Sequence, residues 1–117
     1  MGIALKKEKR VLLGNCRIAK SFMSRFLGLM GKKEIAKDEA VVFPRCNSIH
    51  MFFMRFPIDV IFVDDHGVVV SLFPMLKPWR LVTPQKGAKH AIEMGAGRCR
   101  ELGIEIGTKL ECEGAWN

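Results

Sequence analysis

Residues 46–64, CNSIHMFFMRFPIDVIFVD, restrict the fold more than any other stretch of the chain. Successive side chains on a strand point to opposite faces, so regular alternation sorts a sequence into a core set and an outer set. With a two-residue loop at Arg55-Phe56 this stretch folds into a β-hairpin in which Phe53 faces Ile58, Phe52 faces Asp59 and Met51 faces Val60. One face then carries Ile49, Met51, Phe53, Ile58, Val60 and Phe62, all apolar; the other carries Ser48, His50, Phe52, Met54, Asp59, Ile61 and Val63. A slip of one residue breaks the apolar set, whereas Pro57, which has no N–H, removes one ladder bond at the turn. The sequence thus predicts a buried central hairpin with a core face and a second, mixed face.

That mixed face holds the candidate site. A half-buried carboxylate is costly without a partner, and Arg25, Arg55 and His50 are the partners available to Asp59. A structural Arg–Asp bond is favoured over catalysis, with an acid/base pair of His50 and Asp59 as the catalytic alternative. No Ser or Cys stands at a spacing that completes a nucleophile set with them. Cys46 and His50 are the candidate metal ligands. In an extended strand they lie about 13 Å apart, too far for one ion held at about 2.0–2.3 Å unless Asn47-Ser48 forms a turn. A buried thiol and a hydrogen-bonded histidine are the simpler reading, and no cofactor is assigned.

Elsewhere strands alternate with Gly/Pro breakers. Strands are predicted for Arg10–Ile18 (RVLLGNCRI), AVVFP at 40–44, Gly67–Phe73, Ala88–Met94 and Gly107–Cys112, with a turn or single helical turn at Gly97–Leu102. One helical rhythm stands out, with Ala19, Phe22, Met23, Phe26, Leu27 and Met30 on one side and Gly31 to end it. Its other side carries Ser21, Ser24, Arg25 and Gly28, which makes Arg25 a candidate to hold a carboxylate or an anion. Pro74, Pro78 and Pro84 punctuate a segment that puts Trp79 and Arg80 on a loop or an edge strand. Glu93, ahead of the turn Gly95-Ala96-Gly97, either lines the same pocket or caps the turn, with capping or solvent exposure favoured; that turn lacks the remainder of any phosphate-binding motif. His66 reads as a turn residue and His90 as a surface one. The fold class is mostly β: a small β-sandwich, jelly-roll-like, or a partly open barrel, with one short N-terminal amphipathic helix at about 20–30. Residues 10–113 form the single β-rich domain, between a flexible start at 1–9 and a tail at 114–117.

Composition narrows the class. A chain of 117 residues, 49% hydrophobic, buries roughly two-thirds of its unfolded surface and needs no staples. Cys16, Cys46, Cys99 and Cys112 have neither zinc-knuckle spacing nor scaffold density and read as buried thiols. The apolar run after Lys6–Arg10 is too short for a signal peptide, and no stretch approaches the roughly 20 apolar residues of a membrane span, so a cytoplasmic location is expected. The net charge of +7 sits in the first third, where ten Lys/Arg face only Glu8 and Glu34. Without interleaved aromatic residues or a recognisable motif, that patch argues for solubility more than for nucleic-acid binding.

Taken together, RFLGLMGKKE (25–34), CNSIHMFFMRFPIDVIFVDDHGVVV (46–70), AIEMGAG and LGIEIGTKL resemble the bacterial and archaeal family called domain of unknown function 192, over about Val11 to Glu113. Its motifs fall on Arg25, Gly28, Leu29 and Met30; on Met54, Pro57, Ile58, Asp59 and Phe62; and on Ile92, Glu93 and Gly97. Many members carry Phe-Trp-Met-Lys-Asn before the proline. Here Phe52-Phe53-Met54-Arg55-Phe56 follows Ser48-Ile49-His50, so the chain is similar to a Cys/His-bearing variant. The resemblance implies a compact β-sandwich or jelly-roll-like fold and no established reaction; fold alone supplies no function.

The function expected is a non-enzymatic binding or accessory domain for a small molecule or protein, its pocket formed by Arg25, His50, Phe52, Asp59, Glu93 and Trp79. The alternatives are a small hydrolase or metal-dependent enzyme using His50 and Asp59, and nucleic-acid binding through the basic first third.

Overall fold

The computed structural model describes residues 3–19, 35–51 and 54–116. The helix expected at about 20–30 lies outside them. Strands β1 (Ile3–Lys7), β2 (Arg10–Ile18), β3 (Glu39–Phe43), β4 (Ile49–His50), β5 (Ile58–Val63), β6 (Val69–Leu76), β7 (Leu81–Val82), β8 (His90–Gly95) and β9 (Glu111–Cys112) carry nearly half of the described residues, and α1 (Arg98–Leu102) is the only helix among them. Seven strands form one sheet in the order β6-β5-β8-β3-β2-β1-β9, and β4 pairs with β7 in a second sheet. All neighbours are antiparallel except β2 and β3, which run parallel.

Alternation explains how the large sheet supports a core on each side. In β5 all six residues are buried. Ile61 and Val63 join Ala40, Val42, Ile92, Met94, Leu5, Leu13 and Leu110 in one core, while Ile58, Val60 and Phe62 join Val41, Phe43, Ala91, Met51 and Val82 in the other. The central strands β5, β8 and β3 are therefore covered on both faces and read as continuous apolar runs. Each fully buried side chain of this size contributes about 1.5–3 kcal/mol relative to exposure.

The sheet curls around the first core without closing into a barrel. Its edges meet at one end only, through the bridge between Val68 and Lys109 and backbone bonds from Val69 N–H to Thr108 O (2.9 Å), Gly107 N–H to Val69 O (2.8 Å) and Leu110 N–H to Gly67 O (2.9 Å). Part of the stretch expected to be a flexible start is strand β1, which lies between β2 and β9 with Leu5 fully buried. The turn from β1 to β2 puts Glu8 and Lys9 both at positive φ, 51° and 67°, the backbone shape that matches the twist of a two-residue hairpin.

The central hairpin of the sequence reading is not formed. Ile49 pairs with Val82 and His50 with Leu81, whereas β5 pairs with β6 and β8. The apolar set survives this correction: Met51, Ile58, Val60 and Phe62 share the second core, with Ile49 packed against it. What fails is the idea of a mixed, partly open second face, since Ile61 and Val63 lie in the first core instead.

Candidate functional site

Asp59 organises the region in which a site can be located. Along β5 one residue is skipped between Ile58 and Val60, but their partners on β6, Leu76 and Phe73, are separated by two. The extra residue makes a β-bulge, which frees a backbone N–H and bends the strand. The bulge falls at Pro74-Met75, with Met75 at φ 52°. Asp59, buried with 0% exposure, supplies the missing acceptor: its Oδ1 takes the N–H of Met75 at 2.8 Å and that of Gly97 at 3.0 Å. Its Oδ2 takes the N–H of Cys99 at 2.8 Å. The last two donors lie at the start of α1, where helical N–H groups have no partner in their own helix. Three charge-assisted bonds thus tie β5 to the β6 bulge and to α1.

Among the described residues the groups bonded to the oxygens of Asp59 are backbone N–H donors; Arg25, one of the partners expected from the sequence, lies outside those residues. His50 sits on β4, exposed and paired with Leu81, while Asp59 pairs with Met94 of β8, so the strands do not bring the two together. Cys46 Sγ donates to Ser48 O at 2.9 Å, and among the described residues no three His, Cys, Asp or Glu side chains gather as a metal site. Arg25 and Phe52 lie outside the described residues.

Glu93, favoured by the sequence to cap the turn or face solvent, is instead almost fully buried. It pairs with Val41 and Val60 across β8, which puts its side chain on the second-core side, and burial pushes its carboxyl up to about 8. His90 is not a surface residue. It is 5% exposed, its Nδ1 accepts the N–H of Arg45 at 3.1 Å, and its ring lies 5.2 Å from that of Trp116. Burial lowers its pKa.

The bulge held by Asp59 turns the end of β6 outward. Beyond it, Trp79 is also in the left-handed region, at φ 67°, and its N–H bonds Met51 O at 2.7 Å. Non-glycine residues in that region store strain that the surroundings must hold. The two residues so held, together with Leu81, are large apolar side chains about 60% exposed. Between β6 and β7 runs an open groove of about 510 Å³, walled by residues 72–77 on one side and by 80–83 and 85 on the other. Among the described residues that line it, Lys77 and Arg80 are the charged ones and none is acidic. Of the site residues read from the sequence, Trp79 alone stands on the loop between these walls. Met75, Lys77, Arg80 and Leu81 were missed as a group, although the pattern Pro-Met-Leu-Lys-Pro-Trp-Arg-Leu, apolar and basic residues after each of two prolines, carried the signal.

The profile of DUF192, described as "Uncharacterized ACR", matches residues 3–112. The chain belongs to this family. Archaeal DUF192 relatives are named UPF0127 proteins. One from Pyrococcus furiosus is 37% identical, over 100% of this chain and 97% of its own length; one from Thermococcus sibiricus is 40% identical, over 92% and 72%. Among solved structures, a protein of unknown function from Novosphingobium aromaticivorans superposes with a TM-score of 0.77 at 22% identity, covering 93% of this chain and 82% of its own. A Sinorhizobium meliloti protein gives the same TM-score at 20% identity, covering 96% and 92%. At that identity these likenesses concern the fold alone. The DUF192 family is one of unknown function, and no helix among the described residues is long and apolar enough to cross a membrane.

Proposed function

We propose that this DUF192 chain is a binding domain that takes an extended, acidic and apolar segment of a protein partner in the groove between β6 and β7. The observation that carries the reading is the exposure of Met75, Trp79 and Leu81 beside Lys77 and Arg80. Met, Trp and Arg are enriched where protein interfaces bury their centres, and Lys and Asp are depleted there. The basic Lys77 and Arg80, with no acid among the described lining residues, favour a partner of negative charge. An open groove suits a chain segment better than a small molecule, which is normally enclosed over most of its surface.

Selection of a random 12-residue peptide library on the immobilised protein tests this. Enriched peptides should combine Asp or Glu with large apolar residues, change Trp79 fluorescence on binding, and lose at least about tenfold in affinity on Arg80→Glu or Leu81→Asp. Enrichment of basic peptides, or acidic ones that bind both variants undiminished, would remove the groove as the site.

A further inference from the structure

Strand β1 separates β2 from β9, yet the curl of the sheet brings one side chain from each of these outer strands together over it. Cys16 of β2 lies opposite Ile3, and Cys112 of β9 lies opposite Leu5. Both point into the first core, and their sulfurs are hydrogen-bonded at 3.5 Å. Both thiols are free. We propose that Cys16 and Cys112 are an oxidation site, converted by a hydroperoxide into a disulfide that staples β2 to β9 across β1.

A disulfide has sulfurs about 2.05 Å apart, so the pair must close by about 1.5 Å. Strand β9 has only two residues and lies at a sheet edge, with β1 as its sole strand neighbour, so it is the element that can move. The two thiols are not equivalent. Cys112, on that edge strand, is the more exposed of the two, 5% against 2%, so an oxidant that reaches the pair meets its sulfur first. Exposures of 2% and 5% favour a small oxidant over a bulky disulfide.

The chemistry balances with hydrogen peroxide. The Cys112 thiolate attacks one peroxide oxygen, the O–O bond breaks, and hydroxide leaves with sulfenic acid formed on Cys112. Cys16 then attacks that sulfur, its S–H proton goes to the departing hydroxide, and the S–S bond forms. The first hydroxide takes up the proton that Cys112 gave up on ionising, so two thiols are oxidised, one peroxide is reduced, and two waters result.

The bond would close a loop spanning 96 positions of sequence. Cross-links of such long loops restrict the unfolded chain strongly, and for a domain of this size a rise in Tm of roughly 10 °C is expected. The test treats the intact protein with hydrogen peroxide, then unfolds it, alkylates it and maps its peptides. The expected result is a Cys16–Cys112 linked peptide, with Cys46 and Cys99 alkylated, and a Tm rise that dithiothreitol reverses and that Cys16→Ser and Cys112→Ser both abolish. Four alkylated cysteines, sulfinic or sulfonic acid on Cys112 with Cys16 still free, or a linkage through Cys46 would each overturn the proposal. The peptide map decides it in the natural sequence even where a variant fails to fold.

Discussion

The carboxylate of Asp59 and the backbone N–H of Met75 are joined at 2.8 Å across β5 and β6, at the point where the ladder between those strands is one residue out of step. The same carboxylate holds Gly97 and Cys99, so one side chain fixes both the outward bend of β6 and the start of α1. Asp59→Ala leaves three N–H groups without their acceptor and should cost about 3–5 kcal/mol in urea unfolding. Asp59→Asn keeps one acceptor oxygen and should cost about 2–3 kcal/mol. Losses under about 1 kcal/mol in both would mean that water replaces the carboxylate.

Two glycines at positive φ should respond very differently to alanine. At Gly67, φ 83°, a Cβ would collide with the carbonyl oxygen of Leu110 and the indole of Trp116; at Gly107, φ 93°, no atom lies within 4 Å. Gly107→Ala should therefore cost about 1 kcal/mol from backbone strain alone. Gly67→Ala should cost about 3 kcal/mol or more, because it also opens the contact that joins the two sheet edges. Equal midpoints in denaturant would contradict this.

Glu93 gives stability a pH dependence of definite sign. Its carboxyl is raised by burial from 4.5 to about 8, so between those values the folded state keeps a proton that the unfolded state has released. Stability is then unaffected by this group below about pH 4.5, falls by up to about 1.4 kcal/mol per pH unit on going towards pH 8, and levels off above it. Glu93→Gln should flatten that fall and be the more stable protein at pH 8. A Glu93→Gln variant that loses stability between pH 4.5 and 8 as steeply as the parent protein would assign the fall to other groups.

His90 acts on the acid side. Its Nδ1 must be unprotonated to accept the Arg45 N–H, and burial lowers its pKa from 6.5. The unfolded state therefore binds the extra proton first, and stability should fall as pH drops below about 6.5. His90→Asn should remove this limb from a pH series of melting curves, and a persisting limb would assign it to other groups.

How much of this was legible in the sequence follows from which interactions are local. Strand β2, Arg10–Ile18, was readable residue for residue, because its pattern is self-contained. The apolar set of Met51, Ile58, Val60 and Phe62 was equally readable, since alternation records which way a side chain points. Its pairing was not: Ile49 meets Val82 through a contact more than thirty residues distant, and alternation is silent about which strand lies alongside. Burial of β5 on both faces removed the polar face that placed His50 beside Asp59. That a carboxylate at Asp59 needs partners follows from its apolar neighbours, but its described donors are backbone groups, which leave no trace in side-chain chemistry. The groove was missed because it depends on a bulge, and an extra residue in a strand shows only once its partner is known.

The position of β1 has a kinetic consequence. Leu5 lies opposite both Leu13, a few residues on, and Cys112, near the other end of the described chain. The β1–β2 hairpin can form early and alone, but the far side of β1 stays unpaired until the last strand arrives. Contacts between such distant positions slow folding towards the millisecond-to-second range. Until β9 docks, the nascent molecule offers an open edge, and its window for mispairing with other chains is set by how quickly its two ends find each other.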